Sequence, residues 1–209
     1  MPLLRFILCL VLLTNHGVQA KLIAHYDFAD GELLDNEVGQ AHTLQTMRGL
    51  QPSLSPVSLN NLEGTAVFPG GGSLAPWLEA EGLAEVDAFT VSFWFRTDQV
   101  NQGHRYSSLF ASNRNPVWSQ VTNPAGKLDW GLYSNRDEAG ALEIQVFESM
   151  GLHSDHVFEP NEWQHVVVRK QGRGESARTE LYLHALGEAF SGPLAVRDAY
   201  DLGLEKIIL

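Results

Sequence analysis

The sequence predicts an all-β chain folded as an antiparallel β-sandwich. Three segments in fixed order carry that expectation: residues 89–96 (FTVSFWFR), 161–170 (NEWQHVVVRK) and 179–183 (TELYL). All three have the β-branched and aromatic content that suits a pleated, half-buried surface. In the first, Phe89, Val91, Phe93 and Phe95 alternate with Thr90, Ser92, Trp94 and Arg96. Strict period-two alternation sends one row into a core and the other toward solvent or a groove. The connections between these segments are long, irregular and without helical periodicity. The expected core row is Phe89, Val91, Phe93, Phe95, Val166, Val168, Leu181 and Leu183.

The other elements follow in chain order. Residues 41–62, with Pro52 and Pro56, read as a surface loop with one short strand, and residues 75–87, with Pro76, Gly82 and four acids, as a connection with a helical turn. Residues 98–106 are a polar loop and 109–112 a short strand, while 113–126 hold two Asn/Pro turns around Trp118. Residues 128–134 (LDWGLYS) and 141–148 (ALEIQVFE) pair as a hairpin across 135–140. Residues 169–178 form a basic, glycine-rich turn, and 204–209 a final strand. No internal repeat is present.

Residues 1–20 stand apart from the fold. Arg5 supplies a positive start, residues 6–13 (FILCLVLL) a short apolar run, and Val18-Gln19-Ala20 a small-residue cleavage site. That is the pattern of a secretory signal peptide. A membrane anchor needs about 20 apolar residues, and Thr14, Asn15 and His16 end the run early. Residues 21–209 then form one domain, long enough for a sizeable core. Cleavage removes Arg5 and Cys9, leaving 13 Lys+Arg against 25 Asp+Glu and no cysteine. A disulfide-free secreted chain leans toward a bacterial periplasmic or surface location. The acidic balance argues against nucleic acid, whose binding draws on Lys and Arg. No Asn-x-Ser/Thr acceptor occurs.

The order F-T-V-S-x-W, N-x-W-x-H-V, x-L-Y-L resembles the laminin-G-like branch of the concanavalin A-like lectin/glucanase jelly rolls. Residues 22–28 (LIAHYDF) resemble the family's opening strand, 35–39 (DNEVG) the polar turn after it, and 64–74 (GTAVFPGGGSL) the strand and glycine turn before the aromatic strand. The resemblance implies a jelly roll over residues 22–209. It also implies one or two closing strands after the final one, and nothing here matches their D-E-V-R-I-Y-like run. The expectation is a fold lacking its C-terminal closing strand, short by about 20 to 30 residues.

Four constellations invite chemistry. Residues 143–148 (EIQVFE) resemble the E-I-D-x-x-E strand of laminarinase-like glycoside hydrolases, which makes Glu143 and Glu148 the catalytic candidates. Retaining chemistry needs carboxyls about 5–5.5 Å apart. Five residues apart on a regular strand they face opposite ways, and only a β-bulge would join them. Gln145 also replaces the central Asp, so catalysis is not expected. His153-Ser154-Asp155-His156 has metal-ligand chemistry without the i, i+4 spacing of a helical zinc site or an obvious third ligand, and reads as a polar loop. The resemblance further implies a structural Ca²⁺ held by Asp35 and Asn36, with Asp27 and Asp30 nearby; oxygen donors suit that hard cation. Finally, Trp94, Trp118, Trp130 and Tyr133 are candidates for stacking on sugar rings.

The expected function is a secreted, non-catalytic recognition module that binds a glycan or an extracellular protein. The alternatives are a glycoside hydrolase using Glu143 and Glu148, active or degraded, and a structural module of a longer surface protein. His165, on the face of Trp163 and Val167, reads as a satisfied sandwich histidine rather than a base.

Overall fold

The computed structural model describes residues 11–12, 21–26, 28, 34–39, 41–47, 53–55, 65–67, 77–83, 86–96, 108–112, 131–134, 141–146, 149–157, 159–189 and 191–209. Several strand residues, Tyr133, Glu143 and His153 among them, enter by backbone position alone. The strands are β1 (Val11–Leu12), β2 (Lys21–Leu22), β3 (Gln45–Met47), β4 (Ser53–Ser55), β5 (Thr65–Val67), β6 (Trp77–Ala80), β7 (Phe89–Phe95) and β8 (Ser108–Ala111). They continue with β9 (Gly131–Ser134), β10 (Ala141–Val146), β11 (Ser149–Val157), β12 (Gln164–Gln171), β13 (Arg178–Ala185), β14 (Ala195–Asp198) and β15 (Ile207–Ile208). Among the described residues there is one 3-10 turn, Gly174–Ser176, and no α-helix.

Two antiparallel sheets share one core. The smaller has the order β14-β13-β12-β7, and the larger β11-β10-β9-β8-β15-β6-β3. Two ribbons, β1-β2 and β4-β5, complete the described strands. From the small sheet Phe89, Val91, Phe95, Val166, Val168, Leu181 and Leu183 enter the core. From the large sheet Leu78, Ala80, Phe110, Leu132, Ile144, Leu152 and Ile207 meet them. Phe93 stacks on Phe110 across the layers, with ring centroids 6.2 Å apart.

The alternation expected of the small sheet therefore holds, with one adjustment. Phe93 faces the core but is only partly buried, because it borders a small apolar gap with Ala24, Phe110, Ile207 and Leu209. Strand β12 runs unbroken between its neighbours, with Val166 opposite Phe93 and Leu183, and Val168 opposite Val91 and Leu181. The 135–140 hairpin also holds, since β9 and β10 pair antiparallel.

Other expectations are corrected. Residues 77–80 are not part of a helical connection but a strand inside the large sheet, between β3 and β15. Leu78 and Ala80 face the core, and the buried Glu79 is tolerated there because Lys206 Nζ donates to its carboxylate at 2.8 Å. Residues 149–157 are a nine-residue strand, not a polar loop around His153 to His156. Pairing with β10 stabilises them despite their polarity, across two register shifts. Residues 41–62 hold two short strands rather than one. Among the described residues of the opening segment, only Lys21–Leu22 is laddered, against Val11–Leu12, although Ala24 and Tyr26 are buried in the core.

Polar ties pin the connections. Lys170 ends the inner row of β12 at 0% exposure, and its Nζ lies 2.5 Å from Asp201 Oδ1. The other Asp201 oxygen accepts the Gly174 N–H at 2.7 Å, which fixes the 3-10 turn. Gly172 enters that turn at φ +72°, and a Cβ there would run into the Ser176 carbonyl oxygen. No helix is long and apolar enough to cross a membrane among the described residues.

Two stability results are expected from urea denaturation. Phe89→Ala should cost about 3–5 kcal/mol, as large-to-small core changes do, and Phe93→Ala distinctly less, because Phe93 is already partly exposed. Asp201→Ala should cost about 3–5 kcal/mol by leaving the Lys170 ammonium buried without its carboxylate. Equal losses at Phe89 and Phe93, or a neutral Asp201→Ala, would contradict the packing described.

Candidate functional site

The outward row of β7 and β12 carries the best-defined cluster of chemistry-bearing side chains. The β7–β12 register sets Trp94 opposite His165 and Ser92 opposite Val167. His165 lies in turn opposite His184 of β13. Their parity is opposite to that of the core row, so all four occupy the outer face of the small sheet. The Trp94 and His165 rings stack, 4.8 Å between centroids and 18° between planes. Ser92 Oγ and His165 Nε2 are hydrogen-bonded at 2.7 Å. The His184 ring follows at 6.5 Å.

Electrostatics decide what this cluster can do. Burial, followed by the like charge of His184, lowers the His165 pKa from 6.5 to about 4. His165 is therefore neutral at pH 7, and the group acting on it is a second histidine. A Ser-His hydrolase needs a carboxylate to orient the imidazole and stabilise its charged form. Ser92 also sits mid-strand at 7% exposure instead of on an exposed elbow. The pair is thus built to hold Trp94 in place. Trp94 itself remains partly exposed on the sheet face.

Further along the same face, Glu180 joins a polar ladder across three strands. Arg178 Nε donates to it at 3.0 Å, the Tyr182 hydroxyl donates at 2.9 Å, and Arg169 stands 3.5 Å away. Arg178 also reaches Asp198 of β14 at 3.0 Å. The Glu180 carboxyl is held below its usual range; burial opposes this, and the hydrogen bonds from Arg178 and Tyr182 outweigh it. The outer face thus carries an aromatic platform at one end and an Arg-carboxylate ladder at the other.

The remaining sequence candidates divide. Tyr133 lies on β9 of the large sheet and Trp94 on β7 of the small one, so their strands belong to different layers. Trp118, Trp130, Glu148, Asp27 and Asp30 lie outside the described residues. Glu143 occupies β10 opposite Tyr133 and His153. A register shift falls between Ile144 and Val146, in the stretch that separates Glu143 from Glu148.

Asp35 is exposed and Asn36 buried. The Asn36 Oδ1 accepts N–H groups from His25 at 2.9 Å and Val38 at 3.1 Å, and its Nδ2 donates to the Ala41 carbonyl. Both lone pairs of that oxygen are thereby engaged. Asn36 is a tie for the opening segment, and as placed it does not fit a calcium ligand. Among the residues with described side chains, no group of three His, Cys, Asp or Glu could hold a metal.

Ser92 and His184 are the members of the cluster that sequence reasoning missed. Their signal was parity: Ser92 is two residues before Trp94 and shares its row. The pH dependence follows from His165. Its folded pKa lies below its unfolded one, so the unfolded chain binds more protons between about pH 4 and 6.5. Stability from this group is complete above that window and falls as pH drops through it. Calorimetric midpoints of wild type and His165→Gln, compared from pH 7 to 4, should show a larger loss in wild type than in the variant.

No curated protein and no solved structure matches the chain. A laminin-G family model described as the concanavalin A-like lectin/glucanases superfamily matches residues 70–185, more than half of the sequence and including β6 to β13. The two-sheet antiparallel architecture and that match agree, and the chain belongs to the laminin-G-like branch of the concanavalin A-like lectin/glucanase superfamily.

Proposed function

We propose that this chain is a secreted, non-catalytic recognition module that binds carbohydrate through the outer face of its small sheet. One observation carries this reading: Trp94 stands partly exposed on that face, held flat by stacking on a neutral His165. A rigid indole with an apolar face and a polar edge suits a sugar ring, whose C–H face is apolar and whose rim is hydroxylated. The Arg169, Glu180 and Arg178 ladder offers paired donors and acceptors on the same surface. A protein partner would meet the same aromatic and arginine groups, which are enriched at binding hot spots. The Arg5 start, the 6–13 apolar run and the Val18-Gln19-Ala20 site support secretion to the periplasm, cell surface or medium.

Hydrolysis is not part of this reading. Gln145 stands where the related hydrolases have an acid, and it cannot relay the proton between two glutamates. The test is a screen against immobilised oligosaccharides and extracellular matrix proteins, followed by tryptophan fluorescence titration. Trp94→Ala should weaken binding of the selected glycan about tenfold or more, or about 1.4 kcal/mol, with the circular dichroism unchanged. Absence of any glycan ligand, or binding that survives Trp94→Ala intact, would overturn the reading; a protein ligand lost on Trp94→Ala would redirect it to protein recognition.

A further inference from the structure

We infer that the gap beside β7 is a seat for one further β-strand, and that the strand seated there in the full chain is its own N-terminal apolar run, residues 6–13. β7 is the last strand in the order of the small sheet among the described residues. Beside it lies an apolar gap lined by Val91 and Phe93 of β7, Ala24 of the opening segment, Phe110 and Ile207 of the large sheet, and Leu209. The floor of the seat is thus the large sheet, and its two sides are β7 and the opening segment.

The opening segment is bonded on one side only. The His25 N–H donates to Asn36 Oδ1 at 2.9 Å, and the His25 carbonyl accepts from the Glu37 N–H at 2.9 Å. The Ile23 carbonyl accepts from Asn36 Nδ2 at 3.4 Å. Ala24, between them, is buried at 1% exposure, and no hydrogen bond engages its backbone among the described residues. Buried backbone groups without a partner are rare in folded proteins. No turn or positive φ interrupts residues 21–26, and successive residues of a strand-like chain direct these groups to opposite sides. Ala24 therefore offers a donor and an acceptor on the side away from Asn36.

The chain itself marks the occupant. Val11 and Leu12 of β1 pair antiparallel with Leu22 and Lys21, and β1 also lies against β7. It thus meets both sides of the seat, and it belongs to the unbroken apolar run FILCLVLL. The same register, continued by two residues, brings Leu10 to Ile23 and Cys9 to Ala24. A strand in that position lies one ladder spacing of about 4.8 Å from the opening segment, and gives Ala24 the bonds it lacks. It also covers β7, whose sequence FTVSFWF has no charge to guard an edge against pairing with another chain. Cutting the run away at the Val18-Gln19-Ala20 site would uncover the seat, a consequence that rests on the secretion reading; the seating of the run does not.

The experiment is disulfide trapping in the full chain, whose one cysteine is Cys9. Ala24→Cys sets a second thiol directly opposite, within the Cα separation of about 4.4–6.8 Å that a disulfide spans. Ile23→Cys and His25→Cys, at the opposite parity, are the controls. Mild oxidation followed by peptide mass spectrometry should find an intramolecular bond to Cys9 in Ala24→Cys, and at least about tenfold less in either control. Amide exchange gives a second readout: Leu12→Pro, which removes a ladder N–H, should speed exchange along β7 and leave β13 protected. No disulfide in Ala24→Cys, or unchanged β7 exchange in Leu12→Pro, would overturn the inference. Equal yields at all three positions would overturn it in favour of an unseated tail, and bonds formed only between molecules in favour of strand exchange with a second copy.

Discussion

The register of β12 between β7 and β13 is the constraint on which the rest depends. Because side chains alternate with a period of two, a slip of one residue would exchange the faces of the whole strand. Val166 and Val168 would then leave the core, and His165 and Val167 would enter it. The eight-residue pairing with β13 and the seven-residue pairing with β7 leave no such freedom. The ends of the inner row are polar and buried, Gln164 at one and Lys170 at the other. Lys170 can occupy the inner row only with its partner Asp201 in place. The same register that fills the core puts Trp94 on His165 outside it, so the core and the outer ring stack are two consequences of one alignment.

Strands were legible in the sequence where each residue row had one environment. β7, β12 and β13 alternate cleanly because each has a dry face and a wetter one. β6 was not legible because its inner pair, Leu78 and Ala80, flanks a glutamate that looks like surface. Glu79 is buried only because Lys206, far along the chain, comes beside it. β11 was hidden for another reason: its two register shifts break the pattern, and its middle reads His-Ser-Asp-His. β14 has four residues, mostly exposed, and little apolar content to detect. The cluster around Trp94 was half legible. Parity gave the outward position of Trp94, but the bond from Ser92 to His165 joins residues 73 apart and exists only once the strands are aligned.

The two sheets present different chemistry outward. The small sheet offers stacked rings and an Arg-carboxylate ladder. The charges of that surface are largely compensated by one another. Along β8 to β11, the large sheet has Ser108, Tyr133, Glu143 and His153 in one register row across four strands. Aromatics counted together in the sequence, Trp94 and Tyr133, therefore lie on strands of different sheets.

The connections depend on polar ties because the one cysteine, Cys9, has no second cysteine to pair with in the chain. Asn36 gathers the opening segment through His25, Val38 and Ala41. Asp201 joins the end of β12 to the turn after it. Lys206 bridges Glu79 and Glu81, at 2.8 and 2.6 Å, and so holds the approach to β15 against β6. Closing a long loop costs only slowly more entropy as it lengthens, so a few such bonds suffice to fix distant segments. They differ from disulfides in kind. The exposed Lys206–Glu81 contact is weakened by salt, whereas the Lys170–Asp201 pair is shielded by burial. Added salt therefore loosens the exposed Lys206–Glu81 contact beside β15 before it reaches the buried pair that locks β12, and the outer face of β7 and β12 stays aligned.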